Sequence, residues 1–375
     1  MKICFVINEF NFFLSHRFNL LSQLAKNNSV TLITDTSLAT EIDLHKCTSN
    51  KIKIQHLKQR SSLLNASPLR FFFQLRRKLY QTSFDHIFFV TLEMSLFGAL
   101  LMDRRYFSKK YFLITGLGPF FEDQRIKYKV FRNICAIIFK LELNNSYTTF
   151  IFQNYNNQNT FIDLNLAKKE NSIVIKGSGI KQTSESKTHI IGSGKLIKFC
   201  FAGNITISKG LKELLEASEN LYLQNYKFEL HIAGKYLPNK LDYISTNLFT
   251  KLQQSKYITY YGQLTHSSMS DFYSDLDVFI LPSYGEGLPK SALEAASHGM
   301  PLILTNVAGC NECISDNGYL IPARNSEVLQ EKMQKFIENS EMIEVMSRKS
   351  ISMIKDKFEI TKISNKYLQL LKKKN

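Results

Sequence analysis

The sequence predicts an α/β protein of two doubly wound, Rossmann-like domains that face a cleft. Its 375 residues are long for a single hydrophobic core, and the 44% of hydrophobic residues supply enough apolar surface for two cores. Strands and helices alternate in two separate series, which is typical of parallel sheets covered by helices. Between the series lies Lys181–His189, a polar stretch without periodicity that is typical of a linker.

The first series predicts an N-terminal domain over residues 1–180. It opens with Lys2–Asn8, a nearly continuous apolar run of the kind that is buried in a parallel sheet. A helix is expected from about Arg17 to Lys26. The further strands predicted in this half lie near Val30–Thr34, Ile52–Leu57, Ile87–Val90, Tyr111–Ile114 and Thr149–Phe152.

The second series predicts a C-terminal domain over residues 193–357, preceded by a linker at residues 181–192. It opens with the strand Ile197–Ala202 and the helix Leu211–Asn220. The strands that follow are predicted at Phe228–Ala233, Ile258–Tyr261, Val278–Leu281 and Leu302–Leu304. A last helix, over about residues 358–375, can pack back on the first domain.

The most apolar stretch of the chain, His86–Met102, is too short for a membrane span and has Glu93 in its middle. A buried strand leading into a helix is therefore expected there. The chain begins with Met1 and Lys2, followed at once by a strand and without the pattern of a signal peptide. These features predict a cytoplasmic protein.

Neither the cysteines nor the acidic pairs predict a metal site, and no cofactor is expected. Of six scattered cysteines only Cys310 and Cys313 form a CxxC pair, so reduced, non-catalytic thiols are expected. Asp275 and Asp277 form a DxD sequence, but they close a predicted helix and enter a strand. That position argues against the metal-binding use of this motif.

The positive charge is concentrated in one part of the chain. The net charge is +16, and residues 51–200 carry 24 basic and nine acidic side chains. Such a field attracts nucleic acid, anionic lipid or a phosphorylated substrate equally well.

Basic and aromatic residues interleave in Pro68–Tyr80 and Arg104–Tyr111, which suits an anionic membrane surface. The alternative is a core-facing aromatic stripe with solvated cations. No RNA-binding module is recognisable, so no nucleic-acid partner is expected.

The most informative stretch is Leu281–Pro301, which follows a predicted strand and leads into a helix. Gly285 and Gly287 let the backbone approach a ligand closely. They also allow turns with backbone conformations that other residues rarely adopt. Pro289 suits the first turn of the helix. The free N–H groups and the positive end of that helix form an anion site suited to a diphosphate.

Two carboxylates bracket this anion site. Glu286 lies in the loop, and Glu294 follows eight residues later inside the helix. Carboxylates accept paired hydrogen bonds from vicinal hydroxyls. One can hold the diol of a ribose and the other the diol of a hexose, with the phosphates between them. The alternative is a turn between strand and helix with two solvated glutamates.

This stretch resembles the E-x7-E signature of glycosyltransferase family 4, whose members have the two-domain GT-B fold and retain the anomeric configuration. The resemblance implies that Glu286 contacts the transferred sugar and that Glu294 holds the nucleotide ribose. It also implies that the backbone of Gly287, Leu288 and Pro289 lines the sugar and phosphate site.

A second match is Phe201–Gly210, which runs from a strand end into a helix. Family members carry an arginine and a lysine here, and both neutralise the leaving diphosphate. Lys209 fits the lysine, whereas Asn204 stands at the arginine position and removes one expected cation. The resemblance therefore implies that Lys209 and Glu286 are catalytic and that Asn204 belongs to the donor site.

Three shorter stretches, Phe13–Arg17, Gly116–Gly118 and Lys176–Ile180, resemble a bacterial subgroup of the family that acts on undecaprenyl-diphosphate-linked sugars. Its members add hexoses or N-acetylhexosamines and build surface polysaccharides or glycoprotein glycans. The resemblance places His16 and Arg17 at a helix N-terminus facing the cleft, near the acceptor. The alternative is a capping histidine and a solvated arginine.

The resemblance implies a retaining transferase. The position of the DxD sequence predicts that it is metal-independent, and the basic segment with its phenylalanines predicts that it lies on the inner face of the plasma membrane. Its expected partners are a UDP-sugar donor, a lipid-linked saccharide acceptor and an anionic membrane surface. Two alternatives stay open. One is a UDP-sugar epimerase of the same two-domain plan. The other is a binding protein that keeps the fold without turnover, to which Asn204 points.

Overall fold

The computed structural model describes residues 1–57, 68–101, 107–117, 121, 126–181, 195–238, 242–265 and 268–372. Almost all of the predicted linker, residues 104–106 of the second basic segment and Gly118 lie outside these described residues. The chain divides into two compact units. The first comprises Met1–Gly179 with Ile360–Asn375, and the second comprises Ile180–Glu359.

The first unit is built on a parallel sheet of seven strands in the order β3-β2-β1-β4-β5-β6-β7. The strands are β1 Lys2–Glu9, β2 Ser29–Asp35, β3 Ile52–His56, β4 Phe84–Val90, β5 Phe107–Ile114, β6 Thr148–Phe152 and β7 Ser172–Val174. The order reverses between β1 and β4, as in a doubly wound fold. The predicted α/β class of this half is therefore confirmed.

Helices cover both faces of this sheet. They are α1 Phe10–His16, α2 Phe18–Ala25, α3 Glu41–Ser49, α4 Pro68–Tyr80, α5 Leu92–Ala99, α6 Ile126–Lys140, α7 Tyr155–Asp163 and the C-terminal helix Ile360–Lys372. Alternate residues of β1 belong to different apolar clusters, because successive side chains of a strand point to opposite faces. Phe5 packs in the cluster that includes Tyr367 of the C-terminal helix. Val6 packs in the cluster that includes Leu75 of α4 and Phe139 of α6.

Helix α4 turns most of the apolar side chains that the structure describes, those of residues 71–80, toward the core. Phe71, Leu75 and Leu79 are buried in the core, whereas Phe73 is 58% exposed. The core-facing alternative therefore accounts for the aromatic and aliphatic stripe of this helix. Its exposed surface keeps basic residues, including Arg77 of the last turn.

A fully buried ion pair links the chain just after α6 to strand β5. Lys110 Nζ lies 2.6 Å from Glu142 Oε1 and also donates to the carbonyl oxygens of Gly98 and Leu101. Thr148 donates to the other oxygen of Glu142 at 2.6 Å. Burial lowers the pKa of Lys110, and the adjacent Glu142 carboxylate opposes that shift. The C-terminal end of α6 is therefore held firmly against the sheet.

The second unit is built on a parallel sheet of six strands in the order β10-β9-β8-β11-β12-β13. The strands are β8 Ile197–Ala202, β9 Phe228–Ala233, β10 Ile258–Gly262, β11 Val278–Leu281, β12 Leu302–Thr305 and β13 Gly318–Ile321. The α-helices are α8 Leu211–Leu223, α9 Thr246–Gln254, α10 Ser268–Ser274, α11 Lys290–Ser297, α12 Ser326–Glu338 and α13 Glu341–Met353. The order reverses between β8 and β11, so this unit is also Rossmann-like.

The prediction for the apolar stretch is confirmed. Within this stretch, the last five residues of β4 are followed by α5 rather than by a continuation of one helix. In the part of the chain that the structure describes, no helix has both the length and the apolar character needed to cross a bilayer. None of the six cysteines, all of which lie in described segments, forms a disulfide, and their side chains are buried.

Candidate functional site

The loops after β8 and β11 pack tightly against each other. The first contains a 3-10 turn, Ile207–Lys209, followed by Gly210 with a φ of +72°. A Cβ at Gly210 would lie 2.1 Å from the carbonyl oxygen of Pro282, so this approach requires glycine. Because β8 and β11 are neighbours where the strand order reverses, both loops leave the same edge of the sheet.

This approach brings Lys209 and Glu286 together. Lys209 Nζ donates to Glu286 Oε1, and the two side chains are 28% and 13% exposed. The two residues are 77 positions apart in the sequence. A charge-assisted hydrogen bond that is largely shielded from water is stronger than an exposed surface pair.

Hydrogen bonds to Ser208 fix the position of the neighbouring lysine. The Ser208 carbonyl oxygen accepts from the N–H of Tyr284 at 2.8 Å and from the hydroxyl of Ser283 at 3.2 Å. The Ser208 N–H donates to Asp242 at 3.0 Å, and its hydroxyl donates to the same carboxylate. Thr305, the last residue of β12, donates to the Ser283 carbonyl oxygen. Several segments of the unit therefore hold the turn that carries Lys209.

The loop after β11, residues 282–289 with Glu286, is called the acidic loop here, and its backbone is also fixed from its other side. Gly309, in the loop after β12, has a φ of +80°. A Cβ at this position would lie 2.5 Å from the carbonyl oxygen of Gly287 and 2.6 Å from that of Glu286. Gly309 therefore allows the loop after β12 to lie directly against the acidic loop. Gly285 and Gly287 are themselves partly exposed.

Helix α11 begins directly after Pro289, whose side chain makes no capping hydrogen bond. The positive end of the helix is therefore not neutralised by a side-chain cap. Leu288, just before it, is partly buried against the core of the unit. Glu294 accepts a hydrogen bond from Lys290, one turn earlier. Each of the two predicted carboxylates therefore has a lysine as its partner.

A second group of residues, which the sequence did not predict, supports the acidic loop. The Tyr284 hydroxyl donates to Glu213 at 2.7 Å, and the Arg324 guanidinium lies 4.6 Å from the centre of the Tyr284 ring. Burial and the Glu213 carboxylate raise the pKa of Tyr284. Glu213 and Arg324 come from distant segments without a motif, so no sequence signal pointed to them.

Asn204 is exposed to solvent, whereas Asp277 of the DxD sequence is buried. Asn204 lies just after β8. The Asp277 carboxylate accepts from the N–H of Lys198 at 2.9 Å at the start of β8. Asp277 thus helps to hold β11 beside β8. Among the described residues, no cluster of three or more histidine, cysteine or acidic side chains is arranged to hold a metal ion.

His16 is the last residue of α1, and Arg17 follows it as the N-cap of α2 in the first unit. Only Arg17 therefore lies at a helix N-terminus, where the resemblance placed both residues. The His16 ring stacks on Phe12, with ring centres 4.5 Å apart, and is partly exposed. The Arg17 side chain is only 2% exposed and lies beside the Tyr367 hydroxyl. With its amide nitrogen turned toward the Thr115 carbonyl, Gln153 accepts from Arg17 Nη2. Burial lowers the pKa of Arg17. Of the two residues, His16 is the one with an accessible side chain.

A strained residue lies at the carboxyl edge of the first sheet. Thr91 follows β4 and has a φ of +91°, an uncommon conformation for a β-branched residue. Its side chain accepts from the N–H of Met94 and caps α5. Burial raises the pKa of Glu93 in the first turn of α5, and the Glu9 carboxylate adds to the shift. This loop therefore carries a partly buried carboxyl group.

The chain matches known families and proteins as follows. Residues 183–353 match the family model described as Glycosyl transferases group 1. The N,N'-diacetylbacillosaminyl-diphospho-undecaprenol alpha-1,3-N-acetylgalactosaminyltransferase of Campylobacter jejuni is 27% identical over 322 residues, which cover 83% of each chain. The capsular polysaccharide biosynthesis glycosyltransferase CapM of Staphylococcus aureus is 25% identical over 211 residues, 52% of this chain and 54% of CapM.

Solved structures match over nearly the whole chain. HepE of Anabaena, determined in complex with UDP and glucose, has a TM-score of 0.77 and 15% identity over 99% of both chains. Sucrose-phosphate synthase of Thermosynechococcus elongatus has a TM-score of 0.74 and 17% identity, over 98% of this chain and 97% of that one. At these identities the two matches establish the fold, which is the predicted GT-B fold.

Proposed function

We propose, on the premise that residues 183–353 belong to the glycosyl transferases group 1 family, that this protein is a retaining glycosyltransferase. It moves a hexose or N-acetylhexosamine from a UDP-sugar to a saccharide linked to undecaprenyl diphosphate. The product belongs to a bacterial surface polysaccharide or glycan. The observation that carries this proposal is the hydrogen bond between Lys209 and Glu286, which joins a cation and a carboxylate beside a helix N-terminus.

This arrangement suits the departure of a nucleotide diphosphate. Negative charge develops on the leaving phosphate as the bond to the sugar breaks. Lys209 and the uncapped N-terminus of α11 stabilise this charge without a metal ion. Asn204 supplies no charge where the resemblance implies an arginine, so Lys209 carries a larger share of the stabilisation.

The two carboxylates have separate roles in this proposal. Glu286 accepts hydrogen bonds from hydroxyls of the transferred sugar, and Glu294 accepts those of the ribose. Each carboxylate is already paired with a lysine, Lys209 and Lys290 respectively. The two lysines therefore hold both carboxylates in position before the donor binds. The hydroxyls of the donor then donate to carboxylates that already accept a hydrogen bond from a lysine. We place acceptor contacts on the first unit, where His16 has an accessible side chain.

The proposed acceptor class comes from the Campylobacter relative, whose name states a diphospho-undecaprenol substrate. An acceptor with a polyprenyl chain stays in a membrane, so the enzyme has to work at a bilayer surface. The excess of basic over acidic residues in 51–200 favours an anionic surface. We therefore propose a cytoplasmic protein bound peripherally to the inner face of the plasma membrane.

A donor screen tests the proposed function. Purified protein is incubated with each UDP-sugar and native lipid extract, and lipid products are analysed by mass spectrometry. Transfer of one sugar to a lipid-linked saccharide is the expected result. Formation of a second UDP-sugar without any acceptor would establish the epimerase instead. Tight UDP binding with no transfer from any donor would establish a protein that keeps the fold without turnover.

A further inference from the structure

Helix α6 exposes a continuous aliphatic stripe. Its members are 46% to 78% exposed and follow one another at helical spacing: Ile126, Val130, Ile134, Ile137 and Leu141, the residue just after the helix. At about 100° per residue, these positions fall within an arc of about 80° on one face. Single exposed aliphatic residues are ordinary on protein surfaces, but a row along four helical turns marks an interaction surface.

The opposite face of the same helix is anchored to the first unit. Cys135 and Phe139 are buried in its core, and Phe131 is partly buried against that core. The ion pair of Glu142 with Lys110 holds the chain just after the helix. The aliphatic stripe therefore lies on a helix that is already folded and fixed to the first unit. No conformational change is needed to expose it.

The stripe is bordered by positive charge. Lys129 and Lys140 are exposed and lie about 40° to 60° from one edge of the stripe on the helical wheel. No acidic residue occurs between positions 126 and 141. An aliphatic stripe beside lysines matches the surface of an anionic bilayer, where apolar side chains enter the acyl region and lysine ammonium groups stay among the lipid phosphates.

We propose that the α6 stripe is the surface by which the first unit docks on an anionic lipid bilayer. This inference rests on the proposed function only for the expectation that the acceptor is membrane-bound. A second copy of the chain fits the surface less well, because self-pairing of the stripe would bring two lysine-bordered faces together. Helix α4 does not supply this surface, because its Phe71, Leu75 and Leu79 are buried.

A single-tryptophan probe tests the docking surface directly, because the chain contains no tryptophan. Ile134→Trp should show a blue-shifted emission when phosphatidylcholine vesicles containing phosphatidylglycerol are added. Added salt should reverse the shift, since it screens the lysines. Leu223→Trp, at an exposed aliphatic position of the second unit, is the matched control and should not respond. No shift at position 134, or equal shifts at both positions, would overturn the proposal.

Loss of the stripe tests its contribution to binding. The triple variant Val130→Gln, Ile134→Gln, Ile137→Gln should bind the same vesicles about a hundredfold more weakly, at about fivefold for each half-exposed side chain. The variant Leu223→Gln, Val345→Gln removes exposed aliphatic side chains elsewhere and should bind like the wild type. Wild-type binding by the triple variant would contradict the proposal.

Two further measurements distinguish membrane docking from self-association of the chain and from a loss of catalysis. Sedimentation velocity without vesicles should show a wild-type monomer, and self-association that the triple variant abolishes would assign the stripe to a second copy instead. The triple variant should still transfer sugar to an acceptor dissolved in detergent micelles. A wild-type protein that docks on vesicles through the stripe but transfers no sugar would refute the proposed function alone.

Discussion

Lys209 Nζ donates a hydrogen bond to Glu286 Oε1, across the two loops that meet where the order of the second sheet reverses. The pair is partly shielded, with the glutamate more buried than the lysine. This contact holds the carboxylate in place before any ligand arrives. We expect the lysine to turn toward the leaving phosphate in the donor complex, since a diphosphate carries more negative charge than one carboxylate.

The first prediction separates the roles of the two carboxylates. Glu286→Gln should mainly lower kcat, by about tenfold to a thousandfold, since a charge-assisted contact and its positioning effect are lost. Glu294→Gln should mainly raise KM for the donor, because the ribose is bound similarly before and during the reaction. Steady-state kinetics and binding of free UDP measure these effects.

Glu216→Gln is the control for both variants, because Glu216 is an exposed glutamate of the same unit on helix α8. It should leave kcat, KM and UDP binding unchanged. The substitutions at 286 and 294 keep the side-chain volume, so melting temperatures should change little. Normal turnover by both variants would disprove the site, whereas reversed effects would keep the site and exchange the two roles.

The second prediction concerns metal ions. Asp277, the second acid of the DxD sequence, binds the N–H of Lys198 and is buried. Its carboxylate is therefore committed to holding two strands together. We expect transfer activity to survive EDTA with less than about a twofold change, since stabilisation of the leaving group by Lys209 and α11 needs no metal. Complete loss in EDTA that manganese restores would refute this expectation.

Much of the fold could be predicted because most of its strands are short segments rich in apolar residues. Ile197–Ala202, Phe228–Ala233 and Val278–Leu281 were predicted with the bounds that the structure shows. The strands β7 and β13 were missed. They have three and four residues, and Ser172 and Gly318 at their starts weaken the apolar pattern. Pairing with the neighbouring strand, β6 or β12, rather than local propensity, defines such edge strands.

Tertiary context decided which helix face is buried, and the sequence does not contain that information locally. Helices α4 and α6 have similar basic and apolar compositions. The first turns its apolar stripe inward, and the second leaves its aliphatic stripe outside. In the candidate site, too, the residues could be predicted from the sequence but their contacts could not. Lys209 and Glu286 were predicted separately, but their contact follows from the adjacency of β8 and β11. The supporting contacts of Asp242 and Glu213 had no sequence signal.

The third prediction concerns the pH dependence of stability. His86 is buried and forms a hydrogen bond with the Tyr111 hydroxyl at 3.1 Å, and burial lowers the pKa of this histidine to about 4. The unfolded state therefore binds more protons between the unfolded value of 6.5 and about pH 4. Stability from this residue is present above the unfolded value and is lost as the pH falls through that window. Its size is at most about 3 kcal/mol.

The variant His86→Gln keeps a hydrogen-bonding partner for Tyr111 but does not titrate. Its free energy of unfolding should fall less steeply than that of the wild type as the pH decreases from about 7 to about 4. Urea denaturation followed by circular dichroism at several pH values measures the difference. Parallel pH profiles of the two proteins would show that His86 is already protonated in the folded state or is not buried.

The last prediction uses two glycines to separate steric contact from backbone strain. Gly309 and Gly262 have φ values of +80° and +68°, so alanine at either position adopts a left-handed conformation that costs about 1–2 kcal/mol. Only Gly309 lies against the acidic loop, since an added Cβ would be 2.5 Å from the carbonyl oxygen of Gly287. A Cβ at Gly262 meets no atom within 4 Å.

Gly309→Ala therefore has to displace the backbone of Glu286 and Gly287. Gly262→Ala is destabilised only by the left-handed backbone conformation of its alanine. We expect both variants to melt at a lower temperature, with the larger decrease for Gly309→Ala. Only Gly309→Ala should lose transfer activity, by about tenfold to a hundredfold, because it misplaces the carboxylate that contacts the sugar. Thermal melts and kcat/KM for the donor measure the two effects. Unchanged activity of Gly309→Ala would mean that the acidic loop tolerates the added Cβ. Equal losses of activity in both variants would mean that the loss comes from backbone strain and not from the contact of Gly309 with the loop.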